Sequence, residues 1–188
     1  MKKTVLTFGV ISGAIISVLM LATVPFMHKI GFTRGMVIGY TTMVLAFLLV
    51  FFGIRSYREN VGNGSISFGR ALSVGLLIML IACAFYVVTW EFIYFNFMPD
   101  FADKYAAFIV DDMRASGASA EQITQKIEEL KHFKVLYSNP FFNVAMTLLE
   151  PLPVGLVMTL ISALLVVVVS LITTPPPKEV IARYFSRP

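Results

Sequence analysis

Charged residues and cysteine are scarce in this sequence. Only 14% of its 188 residues are Asp, Glu, Lys or Arg, and Cys83 is the single cysteine. One cysteine cannot form a disulfide within the chain, so cysteine usage indicates no redox compartment. The two histidines, His28 and His132, are far apart and at no metal-ligand spacing. We therefore expect no metal site.

The short motifs that mark common catalytic and cofactor sites are also missing. The chain contains no HExxH, CxxC or GxSxG motif. The glycine-containing stretch 62–65 lacks the downstream Lys-Ser/Thr pair of a P-loop. We therefore expect no catalytic residues and no cofactor. No basic helix with interleaved aromatic residues is present, so nucleic acid is not an expected partner.

Hydrophobic residues, in contrast, make up 57% of the chain, and the mean hydropathy is +0.81. A soluble domain of this length could not bury so much apolar surface, so the composition predicts an integral membrane protein. The apolar runs predict an all-α fold with four transmembrane helices, at about residues 4–24, 35–54, 68–97 and 140–172. We interpret residues 1–188 as a single four-helix membrane domain.

The fourth span is interrupted by Glu150, Pro151, Leu152 and Pro153. Each proline removes a backbone hydrogen-bond donor from the helix, so we expect a kink at residues 150–153.

Glycines recur every four residues at two places, Gly9 and Gly13 in the first span and Gly31, Gly35 and Gly39 around the start of the second. This spacing places small residues on one helix face, where they allow another helix to approach closely. We interpret both sets as helix-packing surfaces within the chain. The alternative is that they form a homodimer interface.

Residues 99–139, between the third and fourth spans, form the only long polar window. Apolar residues recur there at helical spacing in two stretches: Phe101, Tyr105, Phe108, Ile109, Met113, Ile123, Ile127 and Leu130. Ser119 and Gln122 have the spacing of a capping box, which predicts that the second helix begins there. The pattern predicts an amphipathic helical hairpin. We expect its apolar faces to pack on each other and on the membrane surface, with docking of another protein as the alternative.

The distribution of basic residues predicts the orientation in the membrane. Four spans place both termini on one side, and eight basic residues lie on that side: Lys2, Lys3, Arg55, Arg58, Arg70, Lys178, Arg183 and Arg187. The short loop on the other side has only Lys29 and Arg34. Because basic residues concentrate on the cytoplasmic side, we expect both termini and the tail 173–188 in the cytoplasm, and the hairpin outside.

Two carboxylates lie within or beside the predicted spans, Glu91 near the end of the third and Glu150 at the start of the fourth. Ionisable groups in a membrane are costly and are often functional. With Arg34, they form a candidate ion or proton site. We favour a structural or interfacial role, because Glu91 lies in an aromatic stretch typical of the interface. Glu150 precedes Pro151 at the helix break, where it can accept hydrogen bonds from backbone donors.

Several short motifs resemble those of a known family when their order and spacing are taken together. They are Ser67–Ala71 with Gly75, Met98–Phe101, Phe133–Pro140, and Pro153 with Gly155. Over nearly the whole chain they resemble the bacterial membrane proteins of domain-of-unknown-function family 4199. The resemblance implies a four-helix, multi-pass protein of the bacterial cytoplasmic (inner) membrane. The family has no established activity, so the resemblance implies no catalytic residue.

These observations favour a non-enzymatic membrane protein that acts through protein or lipid interactions. The expected partners are the lipid bilayer and either a second copy of the chain or a membrane protein bound at the hairpin. The alternative function is a small ion- or proton-coupled transporter that uses Glu91 and Glu150. An enzyme is the least favoured class, because no nucleophile–base or metal arrangement is visible.

Overall fold

The computed structural model describes residues 1–173, so most of the predicted cytoplasmic tail lies outside the described residues. Eight α-helices and one 3₁₀ turn, Val24–Phe26, form this part of the chain. The helices are α1 Lys2–Thr23, α2 Met27–Ile30, α3 Phe32–Asn60, α4 Phe68–Phe97, α5 Phe101–Ala115, α6 Ala120–Tyr137, α7 Pro140–Leu149 and α8 Pro151–Ile172. No strand occurs within residues 1–173.

Within residues 1–173, four helical segments are long and apolar enough to cross a membrane. They are Lys2–Phe26, Phe32–Asn60, Phe68–Phe97 and Pro140–Ile172. The prediction of an all-α fold with four membrane-spanning helices is therefore confirmed.

The second spanning helix extends beyond its predicted end at residue 54 because polar residues continue the helical hydrogen bonding. Arg55 and Glu59 lie one turn apart on α3, and their side chains form an ion pair of 2.8 Å. Such a pair favours a helix that emerges from an apolar layer into water. Hydropathy alone therefore underestimates the length of α3, which ends at Asn60.

The central helix of the bundle is α4, which packs against α1, α3, α7 and α8. The most apolar window of α4 is 50% buried, whereas the other three spanning segments reach 28–33%. Fully buried side chains of three helices meet in the core: Phe47 and Ile54 of α3, Ile78 and Met79 of α4, and Ala163 and Val166 of α8. Large apolar residues such as Val18, Leu45 and Val88 are exposed on the outer surface, as expected for helices that face lipid.

Polar side chains link α1 to its neighbours inside this apolar bundle. The Ser12 hydroxyl donates a hydrogen bond of 2.9 Å to the Ala46 carbonyl on α3. The hydroxyls of Ser17 and Thr89 share a hydrogen bond of 2.7 Å between α1 and α4. Hydrogen bonds of this kind stabilise helix association in membranes, where apolar burial alone gives little preference.

Of the five predicted packing glycines, two make a close approach between helices. A Cβ atom added to Gly9 would lie 2.9 Å from Ile81, and one added to Gly13 would lie 2.5 Å from Phe85. Both distances are too short for a side chain, so α1 approaches α4 closely at these positions.

The second glycine set does not form a packing surface within the described chain. A Cβ atom at Gly31 or Gly39 would have no other heavy atom within 4 Å, and one at Gly35 would only touch Met27 at 3.7 Å. Gly31 instead precedes α3 with a φ of 73°, which a residue with a side chain rarely adopts. Within residues 1–173, only the two glycines of α1 therefore make the close helix approach that their spacing predicts.

Three glycines outside both sets also make close helix contacts. A Cβ atom would lie 2.4 Å from Ile78 at Gly53, 2.7 Å from Thr159 at Gly75 and 2.5 Å from Met79 at Gly155. These three glycines lie on α3, α4 and α8. They allow the three helices to meet at the centre of the bundle.

The fourth span is broken at one residue, at the position of the predicted kink. α7 ends at Leu149 and α8 begins at Pro151, while Glu150 keeps helical backbone angles (φ −73°, ψ −55°). Because Pro151 and Pro153 have no N–H group, two hydrogen bonds of a continuous helix are missing here.

The polar window 99–139 contains α5 and α6, which pack against each other. Gly117 lies between them with a φ of 78°. The predicted capping box is present: the Gln122 N–H donates to the Ser119 hydroxyl, and the Ser119 N–H donates to the Gln122 side chain. The ammonium of Lys134 on α6 forms an exposed ion pair with Asp103 on α5.

Candidate functional site: a polar seam between α4 and α7

A line of polar and aromatic side chains lies where the end of α4 packs on α7. Tyr86, Trp90 and Tyr94 recur every four residues and share one face of α4. Asn143, Thr147 and Glu150 share one face of the segment formed by α7 and the residue that follows it. We call these six residues, together with Tyr137 at the end of α6, the polar seam.

Two hydrogen bonds of the polar seam start from α4. The Tyr86 hydroxyl donates to Oε2 of Glu150 at 2.5 Å. The indole N–H of Trp90 donates to the Tyr137 hydroxyl at 2.9 Å. α4 is thereby tied both to the break in the fourth span and to α6.

Asn143 is the buried centre of the seam, with 0% of its surface exposed. Its side-chain amide donates to the Tyr137 backbone carbonyl at 3.3 Å, and its side-chain carbonyl accepts from the Thr147 hydroxyl at 3.1 Å. Buried polar side chains that satisfy one another in this way rigidify the contact between their helices.

Aromatic rings surround the outer end of the seam and attach α5 to the bundle. Phe32, at the start of α3, lies 5.9 Å from Phe101, 6.0 Å from Tyr105 and 5.2 Å from Phe108, measured between ring centroids. Trp90 of α4 lies 4.8 Å from Phe101. We call these five residues the aromatic cluster. The apolar stripe predicted for α5 therefore packs on the ends of α3 and α4.

The second half of the hairpin is held by the rings around Tyr137. Its ring centroid lies 5.4 Å from that of Tyr94 and 5.2 Å from that of Phe133. Tyr137 is buried, and burial raises the pKa of its phenol. The negative charge of Glu91 adds to the rise, whereas the hydrogen bond with Trp90 opposes it.

Glu91 itself is half-buried on α4, directly after Trp90. Its Oε1 atom is buried and has no hydrogen-bond partner among residues 1–173. A buried carboxylate oxygen without a partner is energetically costly, and this is the least satisfied acidic group of the described chain.

Glu150 behaves differently from the sequence-based expectation. Its side chain makes no capping hydrogen bond to the backbone of α8. The physical reason is that Pro151 and Pro153, at the first and third positions of α8, have no N–H to offer. Glu150 accepts from Tyr86 instead, across to α4.

The three residues of the candidate ion site are not joined to one another. Arg34 is exposed in the first turn of α3 and forms no ion pair with any residue in the described range. No hydrogen bond or ion pair connects Glu91 with Glu150 in that part of the chain either. The structure describes no group of three or more His, Cys, Asp or Glu side chains placed to hold a metal ion within residues 1–173.

Sequence reasoning identified Glu91 and Glu150 but missed Tyr86, Tyr137 and Asn143. The repeat of Tyr86, Trp90 and Tyr94 at intervals of four was visible in the sequence, since it places three hydrogen-bonding aromatics on one helix face. Asn143 gave no such signal.

Fold and site together define a class, a helical membrane protein with four spanning segments whose polar side chains form a seam between two of them. A family described as Protein of unknown function (DUF4199) matches residues 7–167, so the chain belongs to that family. No match was found to a curated protein or to a solved structure.

Proposed function

We propose that this protein is non-enzymatic and acts by presenting the α5–α6 unit to a partner protein at one surface of a bacterial cytoplasmic membrane. The observation that carries the proposal is the contact of Phe32 with three aromatic rings of α5. The apolar stripe of α5 packs on the bundle through this contact, so the α5–α6 unit is fixed in position. Its polar face is therefore turned away from the bundle.

The outward face of the unit carries both signs of charge. Three ion pairs lie along it, each between residues one helical turn apart and well exposed: Asp111–Arg114, Lys126–Glu129 and Glu128–Lys131. Exposed pairs of this kind contribute little to stability. Their side chains can therefore exchange partners with a charged protein surface, where complementary charge gives specificity and fast association.

The membrane-side edge of the unit is apolar. Val135, near the end of α6, is 70% exposed and Phe141, at the start of α7, is 89% exposed. Large apolar side chains at this depth suit the membrane interface. We therefore assign this edge to lipid and the charged face to protein.

The polar seam supports a structural role better than a catalytic one. Asn143, Thr147 and the Tyr137 carbonyl satisfy one another across helix contacts. The transporter alternative would need Glu91 and Glu150 to act on one ion. Glu150 bonds to Tyr86, whereas the buried Glu91 oxygen has no partner among residues 1–173, so no shared site joins the two.

Site-specific photo-crosslinking in intact membranes tests the proposal. A photoreactive amino acid replaces Gln125, which is exposed on α6, and the control carries it at Val88, which is exposed on the lipid-facing side of α4. We expect a discrete protein adduct from position 125 and none from position 88. Charge reversal at Lys126 and Lys131 should remove the adduct.

Two results would contradict the proposal. One is the absence of a protein adduct at position 125 in membranes that contain normal amounts of the folded protein. The other is an adduct of the same size at both positions, because a lipid-facing site cannot share a specific partner with the charged face of α6.

A further inference from the structure

A groove lies at the end of the bundle opposite the aromatic cluster. It has a volume of about 440 Å³, is open to the surface, and lies between the end of α3, the start of α4, the end of α8 and the loop of residues 61–67. Its lining includes Tyr57, Ser65, Ser67, Arg70 and Leu171. We call this feature the basic groove.

Hydrogen bonds hold the loop that forms one wall of the basic groove. Asn63 and Gly64 turn the chain with φ angles of 50° and 85°. The Arg58 guanidinium donates to the Gly64 carbonyl at 2.8 Å and to the Thr173 hydroxyl at 2.6 Å. One arginine thereby joins the loop to α3 and to the end of α8, so the groove exists before any ligand binds.

Two hydrogen-bond donors of the groove, on Arg70 and Tyr57, have no strong acceptor within residues 1–173. Arg70 is exposed and forms no ion pair there; its only hydrogen bond in that range is a weak one to the Met1 sulfur at 3.8 Å. Tyr57 has only 9% of its surface exposed, and no described residue hydrogen-bonds to its hydroxyl. Tyr57 is one of the residues that line the groove.

The charge around the groove favours an anion. Among residues 1–173, no acidic side chain lines it. The nearest carboxylate along α3 is Glu59, whose charge is already paired with Arg55 at 2.8 Å. Lys2 and Lys3 lie beside Met1, which Arg70 contacts, so further positive charge surrounds the same end of the bundle.

The lipid-facing edge of the groove is apolar. Leu171 and Ile172, at the end of α8, are 81% and 76% exposed. The groove therefore offers an arginine and a phenol beside an apolar helix surface, which matches a phosphate group attached to acyl chains. Arginine side chains bind phosphate oxygens through two parallel hydrogen bonds, and basic pockets between membrane helices bind lipid headgroups.

We propose that the basic groove binds the phosphate group of an anionic phospholipid, with Arg70 and the Tyr57 hydroxyl donating to its oxygens and the acyl chains lying along α8. The site is independent of the proposed function, because it lies at the other end of the bundle from α5 and α6. A failure to find a protein partner for α5 and α6 would therefore not contradict the lipid-binding proposal.

Lipid binding to the purified full-length protein tests the site. Native mass spectrometry measures the dissociation constants of phosphatidylglycerol and phosphatidylcholine. Phosphatidylcholine carries a phosphate group but no net negative charge. Thermal unfolding is then measured in the presence of each lipid. We expect phosphatidylglycerol to bind more tightly and to raise the unfolding midpoint, since a ligand that binds the folded state stabilises it.

Two variants and one control locate the binding. Arg70→Gln removes the cation, and we expect about a tenfold weaker affinity for phosphatidylglycerol because a charge-assisted hydrogen bond is lost. Tyr57→Phe keeps the ring and removes only the hydroxyl, for which we expect about a threefold to tenfold loss. Arg34→Gln, the control, removes an exposed arginine at the opposite end of the bundle. We expect this variant to bind phosphatidylglycerol with the affinity of the wild type.

Three outcomes would overturn the proposal: equal affinity for the two lipids, wild-type affinity in Arg70→Gln, or an equal loss in Arg70→Gln and Arg34→Gln. Inorganic phosphate separates the two sources of the same chemistry. In one outcome, inorganic phosphate raises the unfolding midpoint of the wild type but not of Arg70→Gln, while phosphatidylglycerol changes the midpoint of neither protein. In that case the ligand is a soluble phosphate and the lipid assignment is wrong.

Discussion

The Tyr86 hydroxyl donates a hydrogen bond to the Glu150 carboxylate across the contact between α4 and the break in the fourth span. Tyr86 is buried, and Glu150 is the single residue between α7 and α8. The bond therefore stabilises the interrupted helix at the point where two prolines have removed its own hydrogen bonds.

Removal of this donor should be costly. In Tyr86→Phe the carboxylate loses its partner, and we expect a loss of about 1.5–3 kcal/mol, the usual range for a hydrogen bond to a charged group. Unfolding of the purified protein in detergent measures it. Tyr40→Phe is the control, because Tyr40 is exposed on α3 and makes no hydrogen bond in the part of the chain that is described. Equal stability of Tyr86→Phe and Tyr40→Phe would show that the bond contributes nothing.

Neutralising Glu91 should have the opposite effect. Its buried oxygen has no hydrogen-bond partner in residues 1–173, so the negative charge destabilises the folded state. We expect Glu91→Gln to stabilise the protein by about 1 kcal/mol. The control is Glu128→Gln, which changes an exposed residue paired with Lys131 and should be close to neutral. Destabilisation by Glu91→Gln would mean that the carboxylate has a favourable role in the folded state.

Phe32 should determine how firmly the α5–α6 unit is attached. Phe32→Ala removes three ring contacts, each worth about 0.5–1.5 kcal/mol, so we expect a loss of about 2 kcal/mol and faster hydrogen exchange across residues 101–137. Phe141→Ala is the matched control, since that ring is almost fully exposed. If exchange in α5 and α6 is unchanged in Phe32→Ala, the unit is held by other contacts.

Thr159 offers a test of packing at the centre of the bundle. It is 0% exposed, and its hydroxyl has no hydrogen-bond partner among the described residues. Thr159→Val keeps the shape and removes the unsatisfied group, so we expect stabilisation of about 1 kcal/mol. Thr159→Ser keeps the hydroxyl but loses the methyl group that packs over Gly75, and it should destabilise the protein. The reverse order of stability would show that the hydroxyl is satisfied.

Features that depend on a few neighbouring residues were determined by the sequence itself. α4 has the bounds predicted for the third span, because a long and mostly apolar run lies between the polar loop 61–67 and the polar window that begins at Pro99. The capping box at Ser119 and the side-chain cap of Asn139 at the start of α7 need only residues two or three positions away. Four apolar runs long enough to span the bilayer were sufficient to establish the class of protein.

Features that depend on which helices become neighbours were decided only by the tertiary structure. A Cβ atom added to Gly9 would collide with Ile81, whereas one added to Gly39 would meet no other helix among residues 1–173, although both glycines belong to the same kind of sequence pattern. Glu150 was expected to cap its own helix and instead bonds to Tyr86, 64 residues earlier. In an apolar chain almost every helix face is compatible with either protein or lipid, so hydrophobic periodicity cannot select the buried face. Packing shape and the few available hydrogen-bond partners make that selection.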